Sequence, residues 1–145
     1  MISTFGLSNQ GCASDSARRG QFFPELANPA VCGTILFFFT ENLEFYQPGS
    51  EDNGATNQID YLIRRLQLDL SRLSQKYTDV RVRNVDMLVE RHVALDHRVF
   101  GIPTVIFFDG KGYEVRRWIP DDFKRGGGTM WEFEELIARI HAQNE

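Results

Sequence analysis

HRVFGIPTVIFFDGKGYEVRRW, residues 97–118, carries the clearest fold signal in this chain. Thr104 to Phe108 is apolar at successive positions, as in a strand covered on both faces. Asp109-Gly110-Lys111-Gly112 supplies turn formers, and Tyr113 to Ile119 reads as the returning strand of a hairpin. Gly101-Ile102-Pro103-Thr104 stands at the entrance to that hairpin.

Upstream, Thr34 to Phe39 is a second run apolar on both faces, the pattern of a central strand. Between Gln58 and Lys76 the residues Ile59, Leu62, Ile63, Leu66, Leu70 and Leu73 fall at helical spacing, which predicts a long amphipathic helix. Val80 to Val85 reads as a strand and Met87 to Arg98 as a helix. Downstream, Thr129 with Glu132 forms a capping box for a last helix, whose apolar face is Phe133, Leu136, Ile137 and Ile140. The order strand, helix, strand, helix, strand, strand, helix implies a right-handed crossover followed by an antiparallel hairpin. The expected architecture is α/β, a three-layer α/β/α sandwich around a mixed central sheet.

Residues 1–20 are mostly small and polar, with Ile2, Phe5 and Leu7 able to add an edge strand, and residues 21–145 form the expected domain. The stretch QFFPELANPAVCG, bounded by Pro24 and Pro29, is a helical or irregular approach to the central strand. Residues 41–54 are rich in acidic residues and turn formers with Phe45 and Tyr46 among them, and read as a long loop.

A length of 145 residues suits one domain with a sizeable core. The net charge of −4 and pI near 5.4 argue against nucleic acid and anionic membrane as partners. With no long apolar run and no leader signature in the sequence, a cytoplasmic location is expected. Cys12 and Cys32 are too far apart for a Cys-x-x-Cys motif, and are either both reduced or joined in one bridge.

Val85-Asp86 closing a strand, the helix through Val93-Ala94 and the ending Phe100-Gly101-Ile102-Pro103-Thr104 together resemble the thioredoxin family. The similarity covers roughly residues 30–143, and the spacing from Val-Asp to Ile-Pro-Thr is the same. The resemblance implies a cis Ile102–Pro103 peptide, which the near-confinement of cis bonds to proline allows. It also implies that the backbone at Ile102 docks an extended peptide by strand addition. Gly101, Ile102, Pro103 and Thr104, with Phe45 and Tyr46 from the loop, are therefore the candidate peptide-binding residues.

The resemblance fails where the family keeps its chemistry. The region from Thr40 to Ile63 contains no cysteine, and Phe37 occupies the strand position at which the family often buries a carboxylate. Exchange needs a thiolate, so the expectation is a module that binds protein or peptide without the usual redox activity, needing no cofactor. Glu41, Glu44, Glu51 and Asp52 would favour a basic partner. The rival from another class is an oxidoreductase or glutathione-linked enzyme using Cys12 or Cys32. Cys32 precedes the central strand and is expected at the end of the sheet opposite the site. A third reading is a homo-oligomer in which arm and edge strand pair between chains.

Other candidates read as structural. Glu90, His92, Asp96 and His97 share one helix, but a metal site needs further ligands from elsewhere and a solvated face is expected. Lys124 to Thr129 lacks the features of a nucleotide-binding loop and reads as a flexible connector. Trp118 and Trp131 are expected to close the edge of the core.

Overall fold

The computed structural model describes residues 21–45 and 53–143. The expected arm at 1–20, with Cys12, and the loop residues Tyr46, Glu51 and Asp52 lie outside the described residues.

Strand β1, Gly33–Phe39, is buried at every position. Its alternating side chains Ile35, Leu36, Phe37 and Phe38 are all fully buried, so both faces of the sheet are covered. Helix α1 runs over Asn53–Lys76 and buries Ile63, Leu66, Leu70 and Leu73, as the periodicity predicts. It starts at Asn53, inside the stretch expected to be loop. Once its apolar face is docked, extending the helix toward the N-terminus gains a hydrogen bond per residue, which overrides the turn-forming letters there.

Strand β2, Val80–Asp86, lies parallel to β1 with Gly33 opposite Val80 and Phe39 opposite Asp86. Helix α2 is only Arg91–Asp96, shorter than the expected Met87–Arg98. Asp86 shortens it: its carboxylate accepts from Leu88 N at 3.0 Å and its carbonyl from Glu90 N at 2.8 Å, folding residues 87–89 into a turn. Arg98, in the left-handed region with φ of 55°, ends it.

Strands β3, Thr104–Asp109, and β4, Glu114–Trp118, form the expected hairpin, giving a sheet ordered β2-β1-β3-β4 with β3 antiparallel to both neighbours. The Asp109 carboxylate accepts from Lys111 N at 2.9 Å and Tyr113 N at 3.0 Å, while Gly112 takes a φ of 93° that favours glycine. The entering chain borders this hairpin: Phe23 N donates to Gly112 O at 2.7 Å and Glu114 N to Gln21 O at 2.8 Å. A 3-10 turn follows at Pro24–Leu26.

The expected connector after Pro120 contains a short helix α3, Pro120–Lys124. Proline opens it, the Asp122 carboxylate accepts from Ile119 N at 2.8 Å, and Phe123 is buried beneath it. Helix α4, Met130–Gln143, begins at the predicted box, with Glu132 N donating to Thr129 Oγ1 at 3.2 Å and Thr129 N to Glu132 Oε1 at 3.3 Å. Trp118 is buried edge-on against Phe133, whereas Trp131 is 69% exposed, contrary to expectation. Helical phase decides this: Phe133, Leu136 and Ile137 carry the buried face of α4, and Trp131 falls off it. Among the described residues no helix is long and apolar enough to cross a membrane.

Candidate functional site

Phe38 pairs with Thr104, so the carboxyl end of β1 and the start of β3 lie at one end of the sheet. Met87 N donates to Phe39 O at 2.7 Å and Glu41 N to the Asp86 carboxylate at 3.2 Å, which fixes how the chain leaves β1. Between that exit and α1 lies a cleft of about 260 Å³. Phe39 and Ile63 give it an apolar lining, and Glu41, Asp60 and Arg64 are its charged members, the last two joined at 3.0 Å. Among the described residues it holds hydrogen-bonding groups and a cation, and no thiol.

The Ile102–Pro103 peptide beside this end is cis. Thr104 Oγ1 donates to Gly101 O at 2.7 Å, closing the segment on itself. Ile102, Pro103 and Thr104 are buried, and Ile102 is engaged within the folded chain, so these side chains serve the core. The exposed apolar surface lies around them instead. Phe100 is 76% exposed, and Leu95 and Val89 on the same crossover are also exposed. Phe45 ends a 3-10 turn at Leu43–Phe45 whose Glu44 is exposed, while its side chain and Tyr46 lie outside the described residues.

Two residues that the sequence reading did not place in this role shape the segment from behind. His97 is buried against the rings of Phe23, at 4.1 Å, and Phe108, at 5.4 Å. Burial pushes its pKa below the usual imidazole value, and its Nδ1 has no hydrogen-bond partner among the described residues. Arg117 on β4 donates to the carbonyls of His97 and Arg98 at 2.8 and 3.2 Å and pairs with Glu114 at 2.9 Å. A period-based reading assigns these two a strand and a helix but not their long-range partners.

The remaining candidates separate. His92 and Asp96 are exposed on α2, and Glu90 pairs with Arg83 at 2.8 Å, in keeping with a solvated face, but His97, expected on that face, is buried because the chain turns inward against Phe23 and Phe108 where the helix ends. At Lys124–Thr129 the amides that would cradle an anion are taken: Gly127 N by Asp122 O at 2.8 Å and Gly128 N by Glu132 Oε1 at 2.6 Å. Phe37, at the position compared with the family's carboxylate, is fully buried and stacked on Phe39 at 5.4 Å.

Cys32 precedes β1, whose Gly33 pairs with Asp109 at the far end of β3, so Cys32 lies at the end of the sheet opposite the Gly101–Thr104 segment. It is disulfide-bonded, and Cys12, the one other cysteine of the sequence, lies outside the described residues. Beside it stand Asp79 and His141, with His141 Nε2 at 2.8 Å from Asp79 Oδ2. Nothing in the sequence signals this grouping, because Cys32, Asp79 and His141 are remote from one another along the chain.

No family model matches the chain, and no curated protein matches it. Solved structures do. Thioredoxin 1 from Thermosipho africanus aligns at 15% identity with a TM-score of 0.53, over 77% of this chain and 99% of that one. The N21Q mutant thioredoxin from Halobacterium salinarum gives 13% identity and 0.53, over 93% and 89% of the two chains. Trxlp from Edwardsiella tarda gives 17% and 0.51, over 87% and 95%. At these identities the likeness is one of fold, and the fold is thioredoxin-like.

Proposed function

We propose that this thioredoxin-fold chain binds a protein or peptide partner at the end of the sheet that carries Gly101–Thr104, without thiol chemistry at that end. The observation that carries the reading is Phe100, a large aromatic side chain held 76% exposed next to a segment that is otherwise buried and hydrogen-bonded. Exposed aromatic anchors beside rigid backbone are economical binding elements, because little order remains to be imposed on association. Leu95 and Val89 extend the apolar surface, and the exposed Glu41 and Glu44 favour a partner with basic residues beside apolar ones.

Selection of random peptides on the immobilised protein tests this. Enrichment of mixed apolar and basic sequences that Phe100→Ser abolishes is expected. No enrichment, or enrichment indifferent to Phe100→Ser, overturns it. Light scattering against concentration distinguishes a partner surface from a contact between two copies of the chain.

The second reading, an atypical oxidoreductase, rests on the disulfide at Cys32 with the His141 imidazole close by. It predicts that the wild type accelerates insulin reduction by dithiothreitol and that the Cys12→Ser, Cys32→Ser double variant does not. The proposed location is the cytoplasm, where thiol buffers would open the Cys32 bridge. Alkylation in rapidly acid-quenched cells reports whether it is open.

A further inference from the structure

The corner formed by Cys32, Asp79 and His141 is a cluster of three different metal-ligating groups brought together from three separate parts of the chain. A sulfur, a carboxylate oxygen and an imidazole nitrogen all lie within 4.8 Å of one another, and all three residues are half-buried. We infer that reduction of the Cys32 disulfide opens a zinc-type metal site whose protein ligands are Cys32, Asp79 and His141.

The geometry is close to what such an ion needs. Zinc bonds of about 2.0–2.3 Å in a tetrahedron put neighbouring donors roughly 3.5 Å apart. Donors already within 4.8 Å reach that spacing by small side-chain rotations, with no movement of the sheet. The backbone beneath them is fixed. Cys32 N donates to Asp79 O at 2.7 Å, and the following residues Gly33 and Val80 are paired across β1 and β2. Helix α4, which carries His141, is tied to the same turn through Glu134, which accepts from Tyr77 at 2.8 Å and Lys76 at 2.7 Å.

The donor set also indicates the metal. One thiolate and one imidazole suit a borderline ion such as zinc and do not suit magnesium or calcium, which take oxygen ligands. Thiolate and carboxylate together balance a divalent charge. Three protein ligands leave a fourth position for water or for a ligand atom from outside.

The disulfide is the gate. A sulfur bonded to another sulfur carries no anionic charge and ligates poorly, so the oxidised corner offers only the Asp79–His141 pair. A dithiol reductant passes two electrons into the sulfur–sulfur bond and two protons to the separated sulfurs, and leaves as its own cyclic disulfide. Zinc then displaces the proton on Cys32. Because the metal binds the reduced form preferentially, it also makes the bridge easier to reduce.

The test is zinc affinity of the full chain, measured against a chromophoric chelator before and after reduction with a phosphine. The reduced protein is expected to take one zinc per chain at least about tenfold more tightly than the oxidised protein. Asp79→Asn and His141→Gln are each expected to weaken that binding by about tenfold or more. Cys12→Ser removes the one other cysteine, leaves Cys32 a thiol and is expected to bind zinc with no reductant. Cobalt in the reduced protein should show a thiolate-to-metal charge-transfer band that Cys32→Ser abolishes, a readout that thermal melts of the metal-free variants separate from loss of fold. Equal affinity in the two redox states, or reduced-state affinity unchanged by both Asp79→Asn and His141→Gln, overturns the inference.

Discussion

Arg117 on edge strand β4 reaches across to the end of α2 and donates to the His97 carbonyl at 2.8 Å, so the hairpin holds the segment that leads into Gly101-Ile102-Pro103. The same guanidinium donates to Arg98 O and is paired by Glu114, which leaves most of its donors used. Arg117→Ala should cost about 1.5–3 kcal/mol, the range for a hydrogen bond made by a charged group. Urea denaturation measures the loss, and hydrogen exchange should localise the new opening to residues 98–103. Arg117→Lys should not restore protection, because an ammonium cannot span two carbonyls and a carboxylate in this planar arrangement.

His97 makes stability depend on pH. Burial among aromatic rings lowers its folded pKa below the usual value of 6.5, while the unfolded chain titrates normally. Above about pH 6.5 both states are neutral and the protein has its full stability from this group. As pH falls below that value the unfolded chain binds the proton first, and stability drops until the folded pKa is passed. Burial sets the direction and the charges around the ring adjust the size of the drop: Glu25, Asp96 and Glu114 favour protonation, whereas Arg117 opposes it. Thermal melts from pH 8 to pH 5 should show a loss that His97→Phe flattens. An equally steep profile in the variant would mean that another group titrates.

The box at the start of α4 is a second pH-sensitive element. Burial raises the Glu132 pKa, but the amides of Thr129 and Gly128 and the Arg116 guanidinium outweigh it and hold the carboxyl below its usual value of 4.5. A depressed carboxyl contributes stability that is present above the unfolded pKa and is lost as pH falls through the folded one. Thr129→Ala should cost about 1 kcal/mol at neutral pH. Glu132→Gln should cost a similar amount at pH 7, and the difference from wild type should shrink toward pH 3. Urea midpoints at the two pH values check both.

The two tryptophans should behave oppositely. Trp118 is fully buried against Phe133 with Arg116 4.7 Å from its ring centre, so Trp118→Ala should cost about 3–5 kcal/mol. Trp131 is exposed, and Trp131→Ser should change the melting temperature little. Differential scanning calorimetry separates them. A large loss in Trp131→Ser would mean that α4 is covered by something besides the described residues.

Part of the site was legible because its signals are local. Thr104 to Phe108, the Asp109–Gly112 turn and the Thr129–Glu132 box each declare themselves within a few residues, and each stands in the structure. Their physics, strand burial on both faces, turn geometry and capping, needs no distant partner. The start of α1 and the short α2 were misread because propensity at a helix end is weak against docking and against one well-placed carboxylate, Asp86.

The amino-acid sequence alone gives the four strands, the long and the last helices in their order, the mixed sheet and the absence of a thiol between Thr40 and Ile63, though not the short helix α3. Those follow from periodicity and composition, which depend on near neighbours along the chain. Tertiary docking settled that Ile102 and Thr104 turn inward while Phe100 turns outward, and that His97 is buried. It alone brought Cys32, Asp79 and His141 within 4.8 Å of one another. Such placements depend on how elements dock across the sheet, and contacts between residues far apart in sequence leave no period for a reader of the sequence to find.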